Sequence, residues 1–143
     1  MMMISLSLAG FSVTGNFGSS FVKQGWQGPN FDFTGQVLYR FDQMTYLGIS
    51  SGMSQMGSDK RVPIAGSIFI RLPFGSQILP FGTGDLGYSS GNNKSMNGFT
   101  WRAGGGLDIK NGDKSSILIT SGLQVLGKYQ TEVYLRGGVL LEF

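Results

Sequence analysis

The residue types that carry most enzyme chemistry are scarce in this chain of 143 residues. It contains no His and no Cys, which removes the commonest general base, the commonest metal ligand and all thiolate chemistry. Three carboxylates, Asp85, Asp108 and Glu132, could in principle form an acid–base pair. Charge balance inside a narrow space is the simpler role for them. The sequence therefore predicts no catalytic residue, no cofactor and no metal site.

One motif has the form of a nucleotide site. Residues 82–87, G-T-G-D-L-G, match the G-x-G-x-x-G pattern of dinucleotide-binding turns. That pattern binds a pyrophosphate where a helix begins directly after it. The next residues are Tyr88 and Ser-Ser-Gly-Asn-Asn, which do not begin a helix. The sequence therefore favours a glycine-rich strand at this position.

Composition narrows the class of protein. Charged residues make up 13% of the chain and glycines number 24, which is fewer charges and more Gly than a soluble domain usually has. The net charge of +3 comes from scattered residues, so no nucleic-acid surface is predicted. No apolar run approaches the length of a membrane-spanning helix. We expect one domain, residues 1–143, and interpret the apolar start as a strand, so that any export leader is absent from this sequence.

The last stretch, residues 131–143, shows how the chain must fold. Read with a period of two, it separates an uncharged face that ends on Phe143 from a face that carries Glu132, Arg136 and Glu142. The same alternation recurs along the chain and predicts eight strands of about ten residues, an even number joined by hairpin-length links. The predicted strands are residues 4–14, 31–41, 44–53, 61–72, 78–88, 99–110, 115–125 and 131–143. Tight turns alternate with the longer connections 15–30, 54–60, 89–98 and 126–130.

Alternation alone does not say which face lies inside, because a soluble barrel has the same period. The polar faces hold mostly Ser, Thr, Gly and Gln. Their positive residues, which are all Arg except Lys110, equal their Asp and Glu residues in number. An enclosed lumen favours charges that are paired and sum to zero, because an unpaired buried charge is costly. We therefore predict a lumen charge network of Asp32, Arg40, Arg71, Asp85, Arg102, Asp108, Glu132, Arg136 and Glu142.

Two further sets of residues follow from this orientation. Aromatic side chains at the rims of an apolar outer band form two girdles, and the predicted rim residues are Phe31, Tyr39, Phe41, Phe99, Trp101 and Phe143. Basic residues in the long loops would lie near anionic lipopolysaccharide or another anionic surface, although ordinary solvated loop charge explains them equally well. These residues are Lys23, Lys60, Arg61, Lys94 and Lys128.

Three segments resemble the small outer-membrane barrels of the OmpA/OmpX kind. Residues 79–88, L-P-F-G-T-G-D-L-G-Y, resemble the Pro-aromatic-Gly-x-Gly-x-Gly-Tyr strand of that family, with one extra residue before the last Gly. Residues 101–108, W-R-A-G-G-G-L-D, resemble its sixth strand, and Phe143 resembles its terminal aromatic residue. The resemblance implies a bacterial outer-membrane location, periplasmic termini, and recognition of the last strand by the barrel-assembly machinery.

The predicted fold class is an all-β, eight-stranded antiparallel up-and-down transmembrane β-barrel. Enzymes of this architecture, as the resemblance implies, use a catalytic His, which this chain lacks. The favoured function is a structural or surface-display (adhesion-type) barrel with a filled lumen. A narrow pore or carrier of small apolar ligands is the first alternative, and a soluble ligand-binding barrel is the second. The oligomeric state and any protein partner stay open.

Overall fold

The structure, a computed structural model, describes residues 10–22, 30–56, 59–75, 77–127 and 131–143. No helix within these ranges is long and apolar enough to cross a membrane. The described residues form eight strands and a short 3-10 turn between the fifth and sixth of them, at Lys94–Met96. The strands are β1 (Phe11–Val22), β2 (Asn30–Arg40), β3 (Thr45–Met56), β4 (Asp59–Arg71), β5 (Ile78–Gly91), β6 (Gly98–Lys110), β7 (Ser115–Leu126) and β8 (Glu132–Glu142).

The strands form one closed antiparallel sheet in which each strand pairs with its neighbours in sequence. The barrel closes where β1 pairs with β8, from Ser12 opposite Glu142 to Val22 opposite Glu132. The connections β2–β3, β4–β5 and β6–β7 lie at one end of the barrel, here called the turn end, and the other connections lie at the loop end. The predicted eight-stranded up-and-down barrel is confirmed.

Side chains alternate along the strands, but their polarity is the reverse of that in a water-soluble protein. The side chains that point inward are mainly Ser, Thr, Asn, Gln, Arg and Asp, whereas Ile, Leu, Val and Phe dominate the outer face. In β8, Val133 and Leu135 are 48% and 55% exposed, and Arg136 is 5% exposed. A continuous outer surface of large apolar side chains matches a lipid environment, which excludes the soluble-barrel alternative.

Three of the predicted loops are wrong in extent, because the strands before them continue. Ser20, Ser54 and Ser89, all predicted in loops, lie in strands with their side chains buried in the lumen. Small polar residues usually mark loops, but they also suit the interior of a narrow barrel. The strands β1, β3 and β5 take up much of the predicted loops 15–30, 54–60 and 89–98.

Other predictions fall partly or wholly outside the described residues. The alternating start of the predicted first strand lies in residues 1–9, and most of the fourth loop lies in residues 128–130. The glycine-rich segment 82–87 lies within β5, which pairs with β6 from Ile78 to Ser89 without an interruption in register. No helix begins there, so the strand interpretation of this motif is correct and the extra residue causes no bulge.

An apolar layer crosses the lumen near the turn end. Phe69 and Phe81 stack with a ring-centroid separation of 4.6 Å, and Tyr46 meets Phe69 edge-on at 5.6 Å. Buried leucines from three strands complete the layer. By strand position, polar side chains lie both above and below it. The apolar layer consists of Leu38, Tyr46, Phe69, Phe81, Leu118 and Leu140.

Inward-facing glycines make room for the largest side chains of the lumen. A Cβ atom at Gly104 would overlap the hydroxyl oxygen of Tyr134, and one at Gly122 would lie 2.9 Å from the same oxygen. A Cβ atom at Gly18 would meet Cγ of Arg136 at 2.7 Å. The glycines of these strands thus determine where the bulky residues of β8 fit.

The β2–β3 turn is fixed by a side chain. Oδ1 of Asp42 accepts hydrogen bonds from the backbone N–H groups of Met44 and Thr45, both at 2.8 Å. These two backbone hydrogen bonds hold the pKa of Asp42 below its ordinary value, because they favour the charged carboxylate. The geometry is that of an Asx turn, in which a carboxylate replaces a backbone acceptor.

Candidate functional site: the charged lumen

A bidentate ion pair between Asp32 and Arg136 joins β2 to β8 inside the barrel. Nε and Nη2 of Arg136 donate to the two carboxylate oxygens of Asp32, both at 2.8 Å. Asp32 is 3% exposed and Arg136 is 5% exposed, so solvent screens neither charge. The planar guanidinium matches the carboxylate in this geometry, which gives both strength and a defined orientation.

A second ion pair is linked to the first through Gln124. Nη1 of Arg102 donates to Asp85 at 3.0 Å, and Nε of Arg102 donates to Oε1 of Gln124 at 3.0 Å. The same oxygen accepts Nη2 of Arg136 at 2.9 Å. The amide nitrogen of Gln124 donates to Glu132 at 3.1 Å. These groups form one connected network, here called the central cluster.

Aromatic and neutral side chains complete the central cluster. Arg136 lies 4.5 Å and Arg102 lies 5.7 Å from the ring centroid of Tyr134, both within cation–π range. The carboxylate of Asp85 also accepts hydrogen bonds from Ser67 Oγ and, at 3.5 Å, from Gln36 Nε2. Each buried charge of the cluster therefore has polar or aromatic neighbours that offset its desolvation.

A separate turn-end cluster lies on the other side of the apolar layer. Nη1 of Arg71 donates to Glu142 at 3.0 Å and to the hydroxyl of Tyr46 at 3.2 Å. That hydroxyl donates to Glu142 at 3.1 Å. Nη2 of Arg71 is in ion-pair contact with the fully buried Asp108, without the alignment of a hydrogen bond. The side chain of Glu142 is 26% exposed, so it lies at the turn-end rim.

Arg61 is in the lumen, so its assignment to the loop cations is wrong. It is 0% exposed, and Nη2 donates to Oδ1 of Asn97 at 2.8 Å, while Nε donates to Oγ of Ser89 at 3.4 Å. The reason is that β4 begins at Asp59, before Arg61. Alternation carried the signal, because Arg61 has the same parity as the inward-facing Arg71.

Arg40 is at the surface, so its assignment to the lumen network is wrong. It is the last residue of β2, and its Nε donates to the backbone oxygen of Asp42 at 3.3 Å in the turn. Lys110 is likewise exposed at the end of β6. Arg61 therefore replaces Arg40 among the lumen residues. The charges in the described part of the lumen still sum to zero, with four buried arginines and four buried carboxylates. They are Arg61, Arg71, Arg102, Arg136, Asp32, Asp85, Asp108 and Glu132.

The structure places the predicted rim aromatics on the outer face near the ends of the strands. Tyr39 and Trp101 are partly covered, and the other four are largely exposed. Two neighbours that the sequence did not single out extend the rims. Phe11 packs against Tyr39 at 5.3 Å, and Phe17 stacks on Phe31 at 6.2 Å. The pairing register brings these rings together across β1 and β2.

The remaining predicted loop cations divide into two groups. Lys60 and Lys94 are exposed at the loop end. Lys23 and Lys128 lie outside the described residues.

The interior is nearly filled. A lumen cavity of about 20 Å³ lies between the central cluster and the apolar layer, which is room for about one water molecule. A barrel of eight strands is just wide enough for side chains to fill it. Paired charges and aromatic rings occupy the lumen on both sides of this cavity.

An apolar outer face around a neutral, charge-paired lumen defines a transmembrane β-barrel of small size. The sequence matches no protein-family model and no curated protein. Its fold is similar to that of Neisserial surface protein A, with a TM-score of 0.71, 14% identity, and coverage of 93% of this chain and 97% of that chain. The predicted resemblance to small eight-stranded outer-membrane barrels is confirmed for the fold.

Two further solved structures share the fold. The N-terminal β-barrel domain of Pseudomonas aeruginosa OprF has a TM-score of 0.68 and 14% identity, with 94% of this chain and 98% of that chain covered. The outer membrane enzyme PagL has a TM-score of 0.59 and 13% identity, with 92% and 99% covered. At these identities the similarity shows the architecture alone, which carries proteins both with and without catalysis.

Proposed function

We propose that this chain is an integral β-barrel of a bacterial outer membrane, where it acts as a structural protein that is closed to solutes. The observation that carries the proposal is the inverted distribution of polarity. Leu135 on the outer face is 55% exposed, while Arg136 beside it is 5% exposed and paired. Such a surface is stable in lipid, and it would aggregate in water.

The filled lumen supports a closed barrel over the alternative of a narrow pore. An ion moving along the axis would have to pass the stacked rings of Phe69 and Phe81 and the bidentate pair of Arg136 and Asp32. Each barrier consists of buried, close-packed groups. Displacing them would expose unpaired charges or open a gap in the apolar layer, and both changes are costly.

The arrangement of carboxylates supports a function without catalysis. Asp85 is paired with Arg102 in the central cluster, whereas Asp108 contacts Arg71 on the other side of the apolar layer. Glu132 accepts a hydrogen bond from Gln124. Each of the three carboxylates is therefore engaged by a cation or an amide, Asp108 lies apart from the other two, and the sequence offers no His to replace them.

The short connections at the loop end limit the surface that a display role could use. Two residues separate β3 from β4, and six separate β5 from β6. The exposed Lys60 and Lys94 lie on this short-looped end. We propose that they contact anionic headgroups such as lipopolysaccharide phosphates. Replacing both with Gln should weaken binding to lipopolysaccharide, and unchanged binding would exclude the contact.

The proposed function is tested with the purified chain, refolded in detergent and inserted into lipid vesicles. We expect a folded band in an SDS gel that shifts on boiling, because closed barrels of this kind resist SDS until heated. We also expect no step conductance across a planar bilayer that contains the folded chain. A monodisperse folded protein in detergent-free buffer would contradict the membrane location, and regular conductance steps would contradict the closed lumen.

A further inference from the structure

Four buried polar atoms, each from a residue that lines the same small cavity, have no hydrogen-bond partner among the described residues. They are Oδ1 of Asn16, Oγ1 of Thr34, Nη2 of Arg102 and the hydroxyl of Tyr134. All four residues line the cavity of about 20 Å³ and are at most 8% exposed. Asn16 and Thr34 face each other across β1 and β2. We infer that this cavity binds one ordered water molecule that bridges these groups.

The chemistry of the four atoms fits water better than an ion. Nη2 of Arg102 can only donate a hydrogen bond and Oδ1 of Asn16 can only accept one, whereas the two hydroxyl groups do either. Nδ2 of Asn16 donates to Thr14 Oγ1 at 3.3 Å, which fixes the orientation of the amide. A water molecule donates two hydrogen bonds and accepts two, so it satisfies this mixed set. An anion would face the oxygen of Asn16 in a lumen whose charges already balance.

The size of the cavity limits the occupant. A buried water needs about 10–15 Å³ and two to four polar partners. The cavity of about 20 Å³ meets both conditions for one molecule and is too small for an organic ligand. Phe69, Phe81 and Leu118 form its other wall. The water would therefore lie where the central cluster meets the apolar layer, and it would complete the hydrogen bonds on the polar side.

Replacing Thr34 with Val tests the inference by the sign of a stability change. The substitution keeps the shape of the side chain and removes the hydroxyl. If the hydroxyl binds water, Thr34→Val lowers the urea midpoint of unfolding, because the water loses a partner. A dry, unpaired hydroxyl would give the opposite sign, since removing it relieves a desolvation cost. An unchanged or higher midpoint therefore overturns the inference.

Thr14→Val calibrates the measurement. Oγ1 of Thr14 donates directly to Oε1 of Gln36 at 2.9 Å on the same strand face as Asn16. Thr14→Val removes this hydrogen bond and the one that Oγ1 accepts from Nδ2 of Asn16, so it gives the midpoint shift for two direct hydrogen bonds in this lumen. We expect the shift for Thr34→Val to have the same sign.

A direct measurement keeps the test independent of folding yield. A high-resolution crystal structure of the unaltered chain should show one water-sized density peak within hydrogen-bond distance of Arg102 Nη2 and the Tyr134 hydroxyl. In Tyr134→Phe the peak should persist on its remaining partners. A peak with the density of chloride, or direct pairing of the four atoms with no peak between them, would overturn the inference.

Discussion

At the scale of single residues, the buried ion pairs act as units. The pair of Asp32 and Arg136 lies between β2 and β8, with every hydrogen bond at or below 2.9 Å. Desolvation of both charges offsets most of the attraction, so such a pair contributes little net stability against an apolar replacement. Removing one partner is different, because it leaves an uncompensated charge in the lumen.

We expect Asp32→Asn to destabilise the barrel by about 3–5 kcal/mol, the usual cost of breaking a buried pair from one side. The double variant Asp32→Asn, Arg136→Met should recover much of this loss, because no unpaired charge remains. Urea unfolding of the vesicle-inserted protein measures both changes. The matched control is Arg40→Met, which removes an exposed arginine and should change stability by less than about 0.5 kcal/mol. Equal losses in the single and double variants would contradict a paired lumen.

The glycines that receive Tyr134 provide a second prediction at this scale. We expect Gly104→Ala to destabilise the barrel by about 1–3 kcal/mol, as overpacking does, because the new Cβ would meet the Tyr134 hydroxyl and the backbone oxygen of Ser121. Gly137→Ala is the control, since a Cβ there has no neighbour within 4 Å. Thermal unfolding in one detergent compares the two variants. A tolerated Gly104→Ala would mean that Tyr134 packs elsewhere.

At the scale of elements, alternation predicted the strands well, but it predicted the ends of β1, β3 and β5 poorly. β2, β4, β6 and β8 begin and end within a residue or two of the predicted bounds, because bulky apolar residues and charges alternate along them. β1 and β3 end in Ser-, Gly- and Asn-rich segments that carry no such contrast. The lumen follows the same rule. Alternation correctly assigns Arg71 and Arg102 to the inner face. It does not show that Arg40 lies outside the lumen at the turn end, or that Arg61 lies inside the lumen at the loop end.

The β2–β3 turn gives a pH-dependent prediction. The pKa of Asp42 is lowered from 3.8 by the backbone N–H groups of Met44 and Thr45, so its contribution to stability is present at neutral pH and is lost as the pH falls through the folded-state pKa. Asp42→Ala should lower the urea midpoint at pH 7, and the difference from the unaltered chain should shrink below pH 3.8. A difference that stays constant down to pH 2 would show that the carboxylate charge does not support the turn.

At the scale of the whole molecule, the sequence predicted the inverted barrel but not its layered interior. Neutral charge on the polar faces indicates an enclosed lumen, which agrees with the burial of Arg102 and Asp85 at 5% and 4% exposure. The apolar layer has no comparable signal. Phe69 and Leu118 lie between polar residues on the inward faces of β4 and β7, and only the register of the closed sheet brings them together.

The outer face yields a prediction that separates lipid from water as the surrounding medium. Ile119 is 46% exposed at the middle of β7, where it pairs with Gly137. In a bilayer, Ile119→Arg should cost about 2–4 kcal/mol, whereas Ile78→Arg at the turn-end start of β5 should cost about 0–1 kcal/mol. Unfolding from vesicles measures the difference. A neutral or stabilising Ile119→Arg would contradict a membrane-facing surface.

The seam between β1 and β8 bears on how the chain reaches its final state. Ser12 meets Glu142 and Val22 meets Glu132, so the ladder that completes the cylinder joins segments made more than a hundred residues apart. Contacts of such long range form late and slowly. Until β8 leaves the ribosome, β1 exposes an unpaired strand edge and a row of apolar side chains. Until that ladder forms, the unpaired strand edge and the exposed apolar side chains favour association between copies of the chain, so the topology itself makes the newly made chain prone to aggregate.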